Sequence, residues 1–360
     1  MIVGITGEPF EYKLALPGYT FQFPRDHGSH DDFRTEWWYY TGHLESEGRS
    51  FGYELTFFRM GLRDKVAANN PSKWAVKDLY FAHFALTDID SKKFHYFERR
   101  SRSGVGTGGI TQEPLKVWIG DWKMEGLFAG EESDLKHSFD LRASGKGIDL
   151  ELKLNALKPP VIQGQNGVSQ KSEGRGQASH YYSLTRLETK GVLKMNGKPL
   201  SVKGLSWMDH EYGSNQMSKD QLGWDWFSLQ LEDNTELMLY RMRRKDGKVD
   251  PFSSGTYVKA DGSKIHLGQE DFKIEPTGKW ISPHSKGKYP SGWMLRVKPM
   301  DLTMSVQPVL DDQELLTSES TQVTYWEGAV SVSGLVGGRR IRGKGYVELT
   351  GYAGNLGGKF

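Results

Sequence analysis

The chain has 360 residues in which 47 Lys and Arg balance 45 Asp and Glu, so no excess of basic charge supports a nucleic-acid or anionic-membrane partner. It contains no Cys, which excludes a disulfide framework, an iron–sulfur cluster, a thiolate zinc site and a cysteine nucleophile. The length favours two domains with separate cores, and 11 Trp, 16 Tyr and 17 Phe, many at alternating positions, favour β-structure.

The N-terminal stretch MIVGITGEPFEYKLALPG lacks a basic start followed by an apolar core, so no export signal is read there, and taken as native it implies the cytoplasm. No run approaches the roughly 18 apolar residues of a membrane-spanning helix. Next, PRDHGSHDDFRTEWW (24–38) gathers Asp26, His27 and His30, an H-x-x-H beside carboxylates. On a helix that spacing would fix metal-ligand geometry. On a loop it does not, and the expectation is a hydrogen-bonded turn closing a barrel mouth, with no metal.

Strands are read at 37–41 (WWYYT), 51–58 (FGYELTFF), 147–154 (GIDLELKL) and 330–333 (VSVS), with short Gly, Asn and Asp turns between such runs. The G-x-G-x-x-G of 104–109 follows charged RRSRS and precedes no helix, so the dinucleotide context is missing. The polar stretch 163–182 reads as a loop or as a lid over a pocket. GRRIRGKG (338–345) has Gly345 where a phosphate-binding loop needs Ser or Thr, and no G-x-S-x-G elbow occurs. The pattern is all-β, with many short strands in barrels or sandwiches.

The chain is also written twice. WWYYTGHLES (37–46) aligns without gaps on WDWFSLQLED (224–233), and ELTFFRM (54–60) on ELMLYRM (236–242). The order continues with 121–125 on 271–275, 138–143 on 292–297 and VKGLSWMDHEYG (202–213) on IRGKGYVELTGY (341–352). Two tandem β-domains follow, 1–213 and 221–360, with a polar linker at 214–220.

A residue that serves only the fold should have a similar partner in the other half. His210 faces Leu349, Tyr212 faces Gly351, Asp225 faces Trp38 and Glu36 faces Gly223, so these are site candidates, whereas Asp209 meets Glu348. On a strand, His210 and Tyr212 share one face and point together into a cavity, while Asp209 and Glu211 share the other. If Asp233-Asn234 form the tight turn, Asp225 lies opposite Met242 on a face with Phe227, Leu229 and Leu231. A carboxyl in such company is pushed toward a higher pKa and suits general-acid chemistry, unless an Arg neutralises it.

The segments FPRDHGSHDDFRTEWWYYTGHL (23–44), YFAHFALTD (80–88), SWMDHEYGSNQ (206–216), GWDWFSLQLEDNTELMLYRMR (223–243), YWEGAVSVSG (325–334) and GYVELTGYAG (345–354) resemble the AttH-like, carotenoid 1,2-hydratase-like (CrtC-type) family of lipocalin-like proteins. The resemblance covers about residues 18 to 354. It implies two lipocalin-like β-barrel or sandwich domains, related by internal duplication, with a hydrophobic pocket in or between them. It also implies hydration of a terminal isoprenoid double bond without a cofactor, and a periplasmic or secreted location. Fungal proteins of similar architecture are Diels–Alderases. In the hydratases a His in a D-H-x-[WY] segment and a Tyr-x-Asp on a later strand are implicated. His210, Tyr212 and Tyr240 match these places, and Met242 stands where the Asp would be.

The expectation is thus an acid-catalysed hydratase of an isoprenoid or polyene. Asp225 or Asp209 would protonate the alkene, Trp224, Trp226 and Tyr240 would stabilise the cation, and His210 would orient water. Glu36, Trp37, Trp38, His83, Tyr182 and Tyr212 complete the expected substrate contacts. The alternatives are a pericyclase that folds a polyene and a non-catalytic carrier of a hydrophobic ligand.

Overall fold

The computed structural model describes residues 11–62, 72, 74–130, 135–215, 217–354 and 356; residues 1–10, where no export signal was read, lie outside it. Two large antiparallel sheets carry nearly all of the structure. The first runs Lys93–Arg102, Asp78–Asp88, Arg49–Gly61, Thr35–Ser46, Lys198–Asn215, Ala178–Met195, Ile148–Ala156, Lys136–Gly145, Trp122–Ala129, Leu115–Ile119 and Gly108–Gln112. The second runs Lys264–Leu267, Ser254–Val258, Glu236–Arg244, Gln221–Leu231, Arg339–Leu349, Thr324–Val336, Leu302–Pro308, Trp293–Val297 and Phe272–Pro276. Each curls into a nearly closed barrel around its own apolar interior. No helix among the described residues is long and apolar enough to cross a membrane.

The strand order is the same in both sheets, with two additional strands, Gly108–Gln112 and Leu115–Ile119, at one edge of the first. All five aligned sequence blocks fall on topologically equivalent strands, so the duplication is visible in three dimensions.

Alternation sorts the side chains. On Thr35–Ser46, Trp38, Tyr40 and Leu44 fill the first barrel, while Tyr39 and the partly buried Trp37 face the second sheet. On Gln221–Leu231, Phe227, Leu229 and Leu231 fill the second barrel, while Trp224 and Trp226 turn to the first sheet. These strands are covered on both faces, which is why they read as continuous aromatic runs. At the seam the backbones come close: a Cβ on Gly52 would lie 2.4 Å from Tyr346 Oη and 2.7 Å from Ala329 Cβ. Glu236 locks the seam elsewhere, gripped by Lys158 at 2.8 Å and Arg186 at 2.5 Å, both from the first half.

The expected register of the hairpin 221–244 is off by one. Asp225 pairs with Arg241, Trp224 with Met242 and Trp226 with Tyr240. The turn spans Glu232 to Asn234, with the Leu231 N–H closing on the Thr235 carbonyl and Asn234 at φ 66°. A three-residue turn in place of two slides every cross-strand partner by one.

The segment 163–177 is an ordered strap. Short strands Val161–Ile162 and Ser169–Gln170 pair with Ala178–Met195. The polar joint also contributes an apolar anchor, Met217, to the seam.

Candidate functional site

Between the outer faces of the two sheets lies a cavity of about 500 Å³. Its wall is aromatic: Trp37, Tyr39 and Phe58 come from the first sheet, Trp224, Trp226 and Tyr240 from the second. Tyr39 meets Trp226 edge-on at 5.1 Å. A larger hollow of about 1660 Å³ is an open groove at the mouth of the first barrel, where Lys13, Lys136 and Lys153 mix with Asp31, Asp32 and Asp140. The chemistry converges in the smaller one.

Three carboxyls from three strands meet there: the buried Glu54 on Arg49–Gly61, the buried Glu327 on Thr324–Val336 and the half-buried Glu348 on Arg339–Leu349. Glu327 and Glu348 are cross-strand partners. No Lys or Arg pairs with any of the three among the described residues. Burial pushes Glu54 up to about 8 and Glu348 up to about 7. Burial and the charges of Glu348 and Glu54 hold Glu327 well above the usual carboxylate range. Groups so placed cannot all ionise together, and near neutrality they hold protons.

Their hydrogen bonds leave two buried oxygens open. Glu327 Oε1 accepts from the Tyr39 hydroxyl at 2.7 Å, and Glu348 Oε2 accepts from the Trp224 indole N–H at 2.7 Å. Glu54 Oε1 accepts from Thr56. Glu54 Oε2 and Glu327 Oε2 are buried with no partner among the described residues.

Asp209 enters the same cavity from strand Lys198–Asn215, and burial pushes it up to about 7. Both of its oxygens are taken: Oδ1 accepts from Ser183 and from the Trp207 indole, and Oδ2 from the Tyr181 hydroxyl. Glu211 accepts from Ser179 and pairs with Lys171, which the strap delivers over the Tyr240 ring. His83 bridges the sheets, with Nδ1 at 2.7 Å from the Tyr325 hydroxyl and Nε2 at 2.9 Å from Ser320 Oγ; burial pushes it down to about 3, so it is neutral.

Of the residues singled out in the sequence, Glu36, Trp37, His83, Asp209, Trp224, Trp226 and Tyr240 line the cavity. Asp225, His210, Tyr212, Trp38 and Tyr182 do not. Asp225 does share the barrel-side face with Phe227 and Leu229, but it is clamped at the end of the second barrel. Arg241 pairs with Oδ2, Arg243 reaches Oδ1 at 2.9 Å and the Tyr352 hydroxyl donates to Oδ1 at 2.9 Å. The expected free acid is a neutralised structural carboxylate.

His210 and Tyr212 do point the same way, as alternation requires, but into the packed first barrel. His210 stacks on Trp38 at 4.7 Å, and Tyr212 stacks on His30 at 3.6 Å. The Tyr182 hydroxyl joins His27 Nδ1 at 2.7 Å and His210 Nδ1 at 3.2 Å in that interior.

Glu36 joins the two environments. Burial raises it, but the Arg59 charge and hydrogen bonds from His210 and His30 outweigh burial and keep it ionised. His30, Glu36 and His210 form the one group of His and acidic side chains among the described residues with spacing suited to a metal ion.

Sequence reasoning missed Glu54, Glu327, Tyr39, Tyr181 and Lys171. The available signal was an isolated acid inside an apolar strand, Glu54 between Tyr53 and Leu55 and Glu327 after Tyr325-Trp326.

The AttH-like family profile matches residues 14–352. Kievitone hydratase of Fusarium solani subsp. phaseoli is 21% identical over 273 residues, 75% of this chain and 74% of that protein. Among solved structures, an AttH-type protein of Nitrosomonas europaea is 31% identical with a TM-score of 0.82, covering 94% of this chain and 99% of that one. Kievitone hydratase of Nectria haematococca superposes with a TM-score of 0.69 at 17% identity, covering 96% and 98%. CghA gives 0.55 at 13%, covering 97% and 98%. The last two likenesses concern the fold alone.

Proposed function

Because the chain belongs to the AttH-like family, we propose that it is a hydratase-type enzyme adding water across a carbon–carbon double bond of an isoprenoid or polyene held between the two sheets. The observation that carries this reading is the set of unpaired carboxyls kept protonated by burial inside an aromatic-walled cavity. Alkene hydration needs an acid that is protonated near neutrality and surroundings that tolerate a transient cation.

Glu327 is the proton donor in this reading, since one oxygen is fixed by Tyr39 and the other is open. The alkene π bond takes that proton, and the carbocation forms against the faces of Trp226, Trp224 and Tyr39. Water attacks the cation and gives its proton to the Glu327 carboxylate left by the first step, so the cycle is proton-neutral. The chain's own carboxyls suffice for it. Asp209, with both oxygens satisfied, shapes the wall through Tyr181 and Trp207. Asp225 and His210 take no direct part.

The test is incubation with kievitone and with isoprenoid and polyene alkenes in heavy-oxygen water, followed by mass spectrometry. One labelled oxygen gained per product molecule is expected, and its loss in Glu327→Gln ties it to the cavity. An isomer of unchanged mass would replace hydration with ring closure, and ligand recovered unchanged would make the protein a carrier.

A further inference from the structure

We propose that His30, Glu36 and His210 bind one divalent transition-metal ion. This is independent of the hydration reading. The three side chains come from separate pieces of chain: the N-terminal segment, strand Thr35–Ser46 and strand Lys198–Asn215. His30 Nδ1 and His210 Nε2 both lie 2.9 Å from the same oxygen, Glu36 Oε1. The three ligand atoms fall within 4.8 Å of one another.

The outer nitrogens are what set this cluster apart from an ordinary hydrogen-bonded turn. His30 Nε2 faces Asp26 Oδ1 at 3.4 Å, and His210 Nδ1 faces the Asp26 backbone carbonyl at 3.0 Å. A metal-bound imidazole characteristically donates its other N–H to a carboxylate or a carbonyl. Here both outer nitrogens have an acceptor in reach, and the Tyr182 hydroxyl also reaches His210 Nδ1 at 3.2 Å. The two rings lie 5.6 Å apart. A divalent ion held on the inner nitrogens leaves both outer contacts in place.

Arg59 does not compete for that place. Its Nε holds the other Glu36 oxygen at 3.0 Å, and its charge is shared with Asp78 at 3.2 Å and Asp31 at 3.9 Å.

The rings are also pre-set, His30 by its stack on Tyr212 with planes 7° apart and His210 by Trp38 with planes 23° apart. Two imidazoles and one carboxylate suit a borderline ion of the zinc class rather than calcium or magnesium. Such an ion would staple the N-terminal segment to the rim of the first barrel.

The protein, stripped with a chelator, is titrated with Zn²⁺ against a chromophoric competitor, and with Co²⁺ to read its visible absorption bands. One equivalent per chain is expected, with cobalt bands of nitrogen and oxygen ligation and a rise in Tm on loading. His30→Ala should abolish both signals. Asp26→Asn, which alters the outer partner of His30 and its pair with Arg25 but removes no ligand, should weaken binding by about 10–100-fold. His284→Ala removes the exposed His284–Asp312 pair and should change nothing. Absence of saturable binding by the folded wild-type protein would overturn the site without reference to any variant. Binding that His30→Ala leaves intact, or that His284→Ala removes, would overturn it as well.

Discussion

Two places in this molecule bury carboxyl groups among aromatic side chains, and they do opposite things with them. At the end of the second barrel, Asp225 meets two arginines and a tyrosine hydroxyl and is neutralised by its neighbours. In the cavity, Glu54, Glu327 and Glu348 have no basic partner among the described residues, and burial raises all three so that they keep protons toward neutrality. Asp225, Glu54 and Glu327 are equally buried, so burial does not distinguish a structural carboxyl from a reactive one. The presence of a fixed cation does.

Substitutions at the two places should therefore separate stability from chemistry. Asp225→Ala leaves Arg241 and Arg243 uncompensated and should cost about 3–5 kcal/mol of stability, read from urea denaturation, while the cavity still binds ligand. If that variant is as stable as wild type, the clamp on Asp225 is not what holds the barrel end. Glu327→Gln should lower turnover by about 10²–10⁴-fold with a stability change below about 1 kcal/mol, because the amide oxygen still accepts from Tyr39. Full activity in this variant would move the acid elsewhere in the cluster.

Acidity offers a third and smaller handle. The folded protein raises Glu54 to about 8 and Glu348 to about 7, so it binds more protons than the unfolded chain between the ordinary carboxylate pKa of about 4.3 and those values. This contribution to stability is complete below the lower limit and is lost as pH rises through about 7 to 8. Unfolding midpoints measured across that window should fall, and Glu54→Gln combined with Glu348→Gln should flatten the fall. An unchanged slope would mean that the cavity groups are already ionised. Least of all, Trp226→Leu should weaken an apolar alkene ligand by about 0.5–2 kcal/mol in calorimetric titration, through loss of one ring face.

Most of the fold was legible because aromatic alternation and the repeated blocks record strands and their order directly. The site was only half legible, and the reason lies in the repeat. The repeat by itself marks the unmatched residues as the site, yet the matched Trp37 and Trp224, and Asp209 and Glu348, line one cavity from opposite sides; Trp37, Trp224 and Asp209 were expected there on other grounds, and Glu348 was not. Equivalent strands turn equivalent faces toward each other, so the seam collects the matched residues. Several unmatched ones, His210, Tyr212 and Asp225, lie inside separate barrels. Glu54 was hidden in the same way, being matched to Glu236, which serves as the seam lock with Lys158 and Arg186. The hairpin register failed for a local reason, a turn one residue longer than supposed.

The matched lining has a consequence for how a ligand would be oriented. A Trp and an acid contributed from either side offer nearly the same contacts to both ends of a long molecule, so they cannot tell head from tail. That discrimination falls to the residues where the halves depart from each other: Glu36 where the second half has Gly223, and Glu54 with its open oxygen where Glu236 is fully paired. Direction in this cavity is written in its mismatches.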